Sequence, residues 1–266
     1  MSKFVVIIFP SESVAYDGTR ALKQLHEEGN LTLYGMTVLA KEASGNIAIK
    51  QTVDQGALGL AVGMLAGGLI GLIGGPAGSA LGMGTGAAIG GLGDIINMGI
   101  RSDFLESISN KLTSGKAAVV AEVDEDWMTP LDTRMKALGG EVIRQWRSDF
   151  EDEQIEGLAK ERQAEFATLK DELAHAGADA KNVVNRRLEE TRAKLEAAGK
   201  RAEAQRNQLD QEVDAKRKEM QRQLAQASAE TKARIEKRLA AMEVDSKRRT
   251  ELLKRAWSLT KEALAA

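Results

Sequence analysis

The organisation of this chain is decided by an uncharged, glycine-rich stretch that begins GLAVGMLAGGLIGLIGG at residues 59–75. Residues four apart share one face of a helix, and each glycine inside a helix costs about 1 kcal/mol relative to alanine. Nine glycines in register therefore indicate close packing of helix backbones along that face, as small residues allow. Gly74 and Pro76 supply a turn, so residues 55–100 are predicted to form a glycine-zipper helical hairpin. The glycines of the two legs are Gly59, Gly63, Gly67, Gly71 and Gly75, then Gly78, Gly82, Gly86 and Gly90.

The sequence does not decide whether this hairpin lies in lipid or in protein. No charged residue occurs from Gln55 to Gly93, and a leg of about 18 residues is about 27 Å long, close to the bilayer core of about 30 Å. The first leg is apolar enough to enter lipid, whereas the second carries Ser79, Thr85 and Asp94 and is marginal alone. The hairpin is expected either to contact lipid or to pack against hairpins of other copies.

Strands and helices alternate on both sides of this insert. The predicted strands, rich in β-branched residues, are Lys3–Phe9, Leu31–Ala40, Ile47–Val53, Ala117–Val123 and Glu141–Trp146. The predicted helices, bounded by caps and glycines, are Ser11–Glu28, Asp103–Leu112 and Pro130–Leu138. Without the insert, the first six elements follow the split β-α-β order of a ferredoxin-like fold. Residues 1–54 and 101–147 are therefore predicted to form one α+β domain interrupted by the hairpin.

Residues 148–266 form a third segment, rich in strong helix formers. Its apolar positions recur every eleven residues, a period typical of a straight or gently right-handed coiled-coil bundle. A continuous helix would extend on the order of 180 Å, with bends expected at Gly157, Gly177 and Gly199. Because the apolar stripe is narrow, such rods are expected to pack laterally against rods of other copies. The packing positions are Leu173, Val184, Leu195, Leu209, Val213, Met220, Leu224, Ile235, Leu239, Met242, Leu253 and Leu264.

Composition excludes several functional classes. The chain has no cysteine and two distant histidines, His26 and His175, which excludes disulfides and thiolate metal sites and disfavours a histidine-based catalytic site. The net charge is −2, but it hides an acidic stretch followed by a basic one. Residues 149–179 hold 10 acidic and 3 basic side chains, whereas residues 181–266 hold 14 acidic and 22 basic ones. Nucleic-acid binding by the basic part is disfavoured, because it contains no Phe or Tyr to stack on bases.

Two smaller features have structural explanations. The acidic cluster at residues 149–153 lacks the spacing of a calcium loop and is interpreted as the acidic first turn of a helix. Trp127, Trp146 and Trp257 are interpreted as packing anchors. For Trp257, near Leu264, the alternative is that it caps a helical bundle or contacts a membrane interface.

The N-terminal part resembles a bacterial family of uncharacterised membrane proteins that is catalogued as a domain of unknown function. The matching segments are FVVIIF, IAIKQTVDQGALG, GLIGGPAGSALGMGTGAAIGGLGD, IRSDFLESISNKLTSGKAAVVAEV and ALGGEVIRQW, in this order. Together they cover about residues 1–147. The resemblance implies a ferredoxin-like domain interrupted by a glycine-rich hairpin, implies membrane association, and carries no established catalytic residues. The long tail departs from the usual short family member.

These observations predict a non-enzymatic structural protein. It is expected to self-assemble into a large homo-oligomer (a ring, barrel, cage or filament) through the hairpin and lateral packing of the rods, in association with a membrane. Two alternatives stay open: a membrane-inserted pore or lipid-remodelling protein, and a nucleic-acid binder acting through the basic tail.

The expected partners are other copies of the chain and membrane lipid, without a cofactor, a metal ion or a small-molecule substrate. Lys3–Phe9 is too short for a cleavable signal peptide. The expected location is therefore the cytoplasm, either free or at the inner face of the cell membrane.

Overall fold

A five-stranded antiparallel sheet forms the centre of the N-terminal part. The computed structural model describes residues 2–53, 58–73, 100–147 and 150–265. The strands are β1 (Lys3–Phe9), β2 (Leu31–Lys41), β3 (Ile47–Val53), β4 (Ala117–Glu125) and β5 (Glu141–Trp146). They pair in the order β3-β2-β4-β1-β5. All five predicted strands are confirmed.

Helices cover both faces of this sheet. The helices are α1 (Glu12–Glu27), α2 (Gly59–Ile73), α3 (Ser102–Lys111), α4 (Thr129–Ala137), α5 (Phe150–His175), α6 (Ala178–Gln226) and α7 (Ala229–Ala265). Because side chains alternate along a strand, Val5 and Ile7 of β1 pack under α1 and α4, while Phe4 and Val6 pack under α2 and α3. An α+β domain followed by a helical tail is therefore confirmed.

The centre of the sheet differs in one respect from the order expected for the first six elements. A ferredoxin-like arrangement of those six would place the third strand between the first two. In the structure β4 lies between β1 and β2, whereas β3 pairs with β2 alone at the edge. The reason is that β2 and β3 form a hairpin across Ala43–Asn46, so β3 extends the sheet outward.

Helix α2 is the described part of the predicted hairpin. Its larger side chains, including Val62, Leu65 and Leu69, are buried in the core against the sheet. Among the described residues, none of the helices combines the length and the apolarity needed to cross a membrane. The predicted turn at Gly74 and Pro76, and the glycines Gly75, Gly78, Gly82, Gly86 and Gly90, lie outside the described residues.

The tail is divided into three helices. The break between α5 and α6 includes Gly177, as predicted, whereas the helices continue through Gly157 and Gly199. A further break, which was not predicted, falls at Ala227 and Ser228, where the Ser228 hydroxyl accepts a hydrogen bond from the Thr231 backbone N–H as an N-cap.

The described chain divides into two compact units that do not follow sequence order. The first consists of Met1–Ser148 and Glu212–Glu243, and the second of Asp149–Gln211 and Val244–Ala266. In the second unit, Phe166, Leu195 and Ala263 form a buried apolar cluster. A Cβ atom at Gly199 would lie 2.6 Å from Thr260 Oγ1, so this glycine permits α6 and α7 to approach closely.

Candidate functional site

The candidate site begins with carboxylates at one end of the sheet. Along β4, Ala118 and Val120 belong to the apolar core under α2 and α3. Since alternate residues share a face, Glu122 and Asp124 continue this row, and both are buried. Thr32 of β2 is the register partner of Asp124. The surface formed by Thr32, Tyr34, Glu122 and Asp124 is called the polar end of the sheet below.

The polar end is covered by residues 212–243, called the tip below. The tip consists of the last turns of α6, the break at 227–228 and the first turns of α7. Its side chains Met220, Ile235 and Met242 form a buried cluster with Tyr34 and Leu58. Tyr34 lies where the pairing of β2 with β4 shifts register, as a β-bulge that redirects a side chain does.

Four charged groups meet between the polar end and the tip, and they are called the ion cluster. Lys216 Nζ lies 2.6 Å from Glu122 Oε1 and 2.7 Å from Glu212 Oε1. Arg147 Nη1 donates to Glu122 Oε1 at 3.0 Å, and Arg147 also binds Glu212 through both Nη atoms, with Nη2 at 2.8 Å. The two acids and two bases sum to zero charge, which is the condition under which buried charges are tolerated.

The pKa values in the ion cluster show that the charges stabilise one another. Burial raises the pKa of Glu122, but Lys216 and Arg147 outweigh this effect, so the pKa lies below its ordinary value. Burial also raises the pKa of Glu212, and Arg147 and Lys216 shift it well below the ordinary range. Burial opposes the charge of Arg147, yet Glu122 and Glu212 raise its pKa further above the ordinary value. The two carboxylates and Arg147 are therefore ionised at neutral pH.

Arg238 makes a second buried contact between the tip and the sheet domain. Its side chain is only 2% exposed, and it donates to the carbonyl oxygens of Asp124 at 3.2 Å and Gly29 at 2.8 Å. Its Nε lies 3.5 Å from Asp126 Oδ2. Burial lowers the pKa of Arg238, while Asp126 and Asp124 act in the opposite direction.

Gly29 allows this approach. It ends α1 with φ +70, the left-handed conformation that favours glycine at a helix end. A Cβ atom at this position would lie 1.9 Å from Thr231 Cγ2. The glycine is therefore required both by the backbone turn and by the closeness of α7.

Gln223 makes the third contact, with the end of α1 and the start of β2. Its Nε2 donates to the carbonyl oxygens of His26 at 2.5 Å and Leu31 at 2.8 Å, and its Oε1 accepts from the Thr32 hydroxyl at 2.8 Å. All hydrogen-bonding directions of this buried amide except one lone pair are thus used.

His26 adds a titratable group beside Gln223. The Leu33 backbone N–H donates to His26 Nδ1 at 3.2 Å, so the proton of the neutral ring lies on Nε2, which is 3.3 Å from Glu219 Oε1. Burial lowers the pKa of His26, and Arg238 adds to this effect, whereas Glu219 raises the pKa. The geometry thus favours a neutral imidazole.

Tyr34 supplies an aromatic face and a buried hydroxyl. Lys216 Nζ lies 4.7 Å from the centre of the Tyr34 ring, within the range of a cation–π contact. Within the described part of the chain, the Tyr34 hydroxyl has no hydrogen-bond partner. Burial raises its pKa well above the ordinary value, so the hydroxyl keeps its proton.

The arrangement is suited to holding two structural elements together. Each charged group of the ion cluster faces opposite charges, and the polar groups of Gln223 and Arg238 bind backbone carbonyls. Removing one member of such a buried set is strongly destabilising, because it leaves an uncompensated charge. Among residues 2–53, 58–73, 100–147 and 150–265, no group of three or more His, Asp or Glu is placed to hold a metal ion.

The glycines of α2 do not all lie on one side of the helix. Among the described residues, a Cβ atom at Gly63 or Gly71 would meet nothing within 4 Å, whereas the Cα atom of Gly59 lies 3.5 Å from the position of a Cβ atom at Gly35 in β2. The interpretation of the tryptophans as packing anchors is wrong, because Trp127, Trp146 and Trp257 are exposed. Their flat faces are instead contacted by cations, such as Lys3 4.4 Å from the Trp146 ring centre.

The predicted acidic first turn contains one group with another role. Asp152 is fully buried and pairs with Arg249 in the second unit. The side chains of Asp149, Glu151 and Glu153 lie outside the described residues.

The predicted rod-packing positions are covered within the chain. Val213, Met220, Leu224, Ile235, Leu239 and Met242 belong to the cluster around Tyr34. Leu195 and Leu264 belong to the cluster around Phe166. Val184, Leu209 and Leu253 are buried and Leu173 is half-buried. The positions of the eleven-residue rows are thus buried or half-buried, and the two clusters that contain most of them lie inside one chain.

Sequence reasoning missed the ion cluster. Glu122 interrupts the apolar run of the predicted strand Ala117–Val123, which was a usable signal of a buried partner. Glu212 and Lys216 are four residues apart and gave no separate signal, since such pairs are common on solvated helix faces.

The fold and the site define an α+β protein whose helical tail contributes a tip that completes the sheet domain through buried charges. Residues 60–161 match a family described as "Protein of unknown function (DUF1269)", which confirms the resemblance for this part of the chain. No curated protein and no solved structure matches the chain.

Proposed function

We propose that this protein is a non-enzymatic structural protein that self-assembles into a large homo-oligomer through the glycine face of its hairpin. The observation that carries the proposal is that α2 has an apolar side packed against the sheet and another side that carries glycines. Its large side chains are buried in the core, whereas a Cβ atom at Gly63 or Gly71 would meet no described residue within 4 Å. A face without Cβ atoms allows another helix backbone to approach closely. The four-residue spacing runs to Gly75 and, after the predicted turn, resumes from Gly78 to Gly90.

The proposed framework for this hairpin is a ferredoxin-like domain. The elements β1, α1, β2, β4, α4 and β5 have the β-α-β-β-α-β sequence, with β4 between β1 and β2 and β5 beside β1. This order corresponds to the split β-α-β pattern. In this proposal β3, α2 and α3 form the insertion between its second and third strands.

In this proposal the apolar rows of the tail do not pack against tails of other copies. Its apolar positions are already covered within the chain, which supports helix pairs of coiled-coil type formed by α5, α6 and α7 themselves. Contacts between tails of neighbouring copies then rely on the charged outer faces, where acidic and basic stretches complement each other.

A lipid-contacting hairpin is the second candidate, favoured by the absence of charge from Gln55 to Gly93. The burial of Leu65 and Leu69 against the sheet removes the apolar face that α2 would need to enter lipid, so assembly between copies is the better supported function. Nucleic-acid binding is less supported, because the basic residues Lys216 and Arg238 are engaged in buried contacts.

The proposal is tested by placing a large side chain on the glycine face. Gly71→Leu and Gly63→Leu have room beside the described residues and should leave the sheet domain folded, but they prevent close approach of another helix. The matched control is Gly157→Leu, at an exposed helical glycine with nothing within 4 Å. Particle size is measured by light scattering and negative-stain microscopy without detergent. We expect large wild-type and control particles and small glycine-face variants; unchanged size in those variants contradicts the proposal.

A further inference from the structure

The polar end of the sheet recognises the tip through directional groups rather than through apolar area alone. Glu122 binds Lys216, the carbonyls of Gly29 and Asp124 bind Arg238, and Thr32 binds Gln223. The tip donates through Lys216 and Arg238 and accepts through Glu212 from Arg147 and through Gln223 from Thr32, so donors and acceptors are matched across this surface. Such charge and hydrogen-bond complementarity selects one partner and one orientation.

This recognition also selects one register of the tip. The apolar rows repeat every eleven residues, so a slip of eleven residues would keep apolar positions in similar places. After a slip in one direction, Arg201 would take the place of Glu212 beside Arg147, which brings like charges together. After a slip in the other direction, Ala227 would take the place of Lys216 and leave Glu122 with one cation fewer. The apolar repeat alone allows several registers of the tip on the sheet, and the polar contacts therefore select one of them.

The tip is a helical hairpin that is continuous in sequence. Met220 of α6 and Ile235 of α7 share one buried cluster, and the chain reverses at Ala227 and Ser228. The 63 residues Asp149–Gln211 separate it in sequence from the sheet domain, and they belong to the other compact unit. The contacts that hold the tip would be the same if the tip came from another copy.

We infer that the polar end of the sheet is an interaction surface for residues 212–243 of a second copy, so that neighbouring copies exchange tips. Exchange of an identical element makes an oligomer without any new contact. Its extent is set by the effective concentration of the chain's own tip relative to that of its neighbours. The inference deepens the proposed self-assembly, on which it rests, by naming a second surface between copies.

A disulfide between Gly29 and Thr231 positions tests this exchange. The chain contains no cysteine, and a Cβ atom at position 29 lies 3.3 Å from Thr231 Cβ, close to the spacing of about 3.8 Å in disulfides. Gly29→Cys and Thr231→Cys are made in separate copies, one with a size tag, and co-expressed. The matched control carries both substitutions in one chain. After oxidation, non-reducing electrophoresis separates monomers from cross-linked heterodimers.

Random exchange places about half of the chains in the cross-linked heterodimer. If the double variant cross-links within its own chain and the mixed single variants give no heterodimer, the inference is overturned. If strain at position 29 prevents the control cross-link, Glu122→Lys and Lys216→Glu replace it. Alone, each brings like charges together; co-expressed, they restore opposite charges only between copies. Recovery of half or more of the lost urea midpoint supports exchange, and no recovery overturns it.

Particle size of the wild-type protein distinguishes the two proposals. A large wild-type particle without heterodimer cross-links contradicts tip exchange and leaves the glycine-face assembly standing. A wild-type monomer at all concentrations contradicts the proposed function itself, whatever the cross-linking result.

Discussion

Replacement of Lys216 by methionine examines the ion cluster directly. Methionine keeps much of the apolar stem and removes the ammonium group that lies 2.6 Å from Glu122 and 2.7 Å from Glu212. Arg147 then faces two buried carboxylates, and the cluster changes from neutral to a net charge of −1. Removing one partner of a buried ion pair typically destabilises a protein by about 3–5 kcal/mol, because the remaining charge is uncompensated.

A matched control is available at the next residue. Arg217 pairs with Asp214 at 2.7 Å, but the Asp214 side chain is 65% exposed, and exposed pairs contribute about 0–1 kcal/mol. Urea unfolding of Lys216→Met and Arg217→Met is compared by tryptophan fluorescence. Trp127 lies 5.6 Å from the Arg234 guanidinium of the tip and reports on the first unit. A Trp257→Phe background removes the tryptophan of the second unit.

With a denaturant slope of about 2 kcal/mol per molar urea, the midpoint of Lys216→Met should fall by about 2 M, while that of Arg217→Met changes little. Adding Glu122→Gln to Lys216→Met leaves Arg147 paired with Glu212 and a neutral cluster, so the double variant should be less destabilised than the sum of the single ones. Equal midpoints for Lys216→Met and Arg217→Met would refute the reasoning.

Two further outcomes follow from the described geometry. Burial lowers the pKa of His26 below its ordinary 6.5, although Glu219 acts against this. The unfolded chain therefore binds this proton at higher pH than the folded chain does, and the free energy of unfolding should decrease as pH falls below about 6.5. His26→Gln should remove that pH dependence, which urea titrations at successive pH values measure. Gly199→Ala places a Cβ atom 2.6 Å from Thr260 Oγ1 and should destabilise the second unit by about 1–3 kcal/mol, whereas Gly157→Ala should stabilise it by up to about 1 kcal/mol. Thermal unfolding followed by circular dichroism compares the two variants. A Gly199→Ala variant more stable than the wild type would contradict the close approach of α6 and α7.

The strands could be predicted from sequence because their signals are local. Lys3–Phe9 and Ala117–Val123 are short runs of β-branched and small apolar residues, and such runs need no knowledge of the rest of the chain. The partner of each strand could not be read in the same way. β3 is an edge strand because β2 pairs with β4 on its other side. β4 begins at Ala117, 76 residues after β2 ends at Lys41, so local sequence does not reveal this pairing.

The candidate site escaped prediction for a related reason. Glu122 and Lys216 are 94 residues apart in sequence. From its sequence neighbours alone, each is explained equally well as a solvent-exposed residue of a strand or a helix. The eleven-residue repeat includes buried positions such as Met220 and Ile235, but periodicity does not say whether the covering surface belongs to the same chain. Only the three-dimensional placement of the tip decides that a lysine in a charged helix is buried.

The division of the sheet domain between Met1–Ser148 and Glu212–Glu243 has a consequence during synthesis on the ribosome. After Trp146 of the last strand is made, 66 further residues must be added before Glu212 appears. At about 5–20 residues per second, the polar end of the sheet faces water for several seconds before its cover exists. An apolar surface left open for that time would invite aggregation. Apart from Tyr34, the polar end consists of two carboxylates and a hydroxyl, which bind water well, so the nascent sheet domain stays hydrated until the tip has been synthesised.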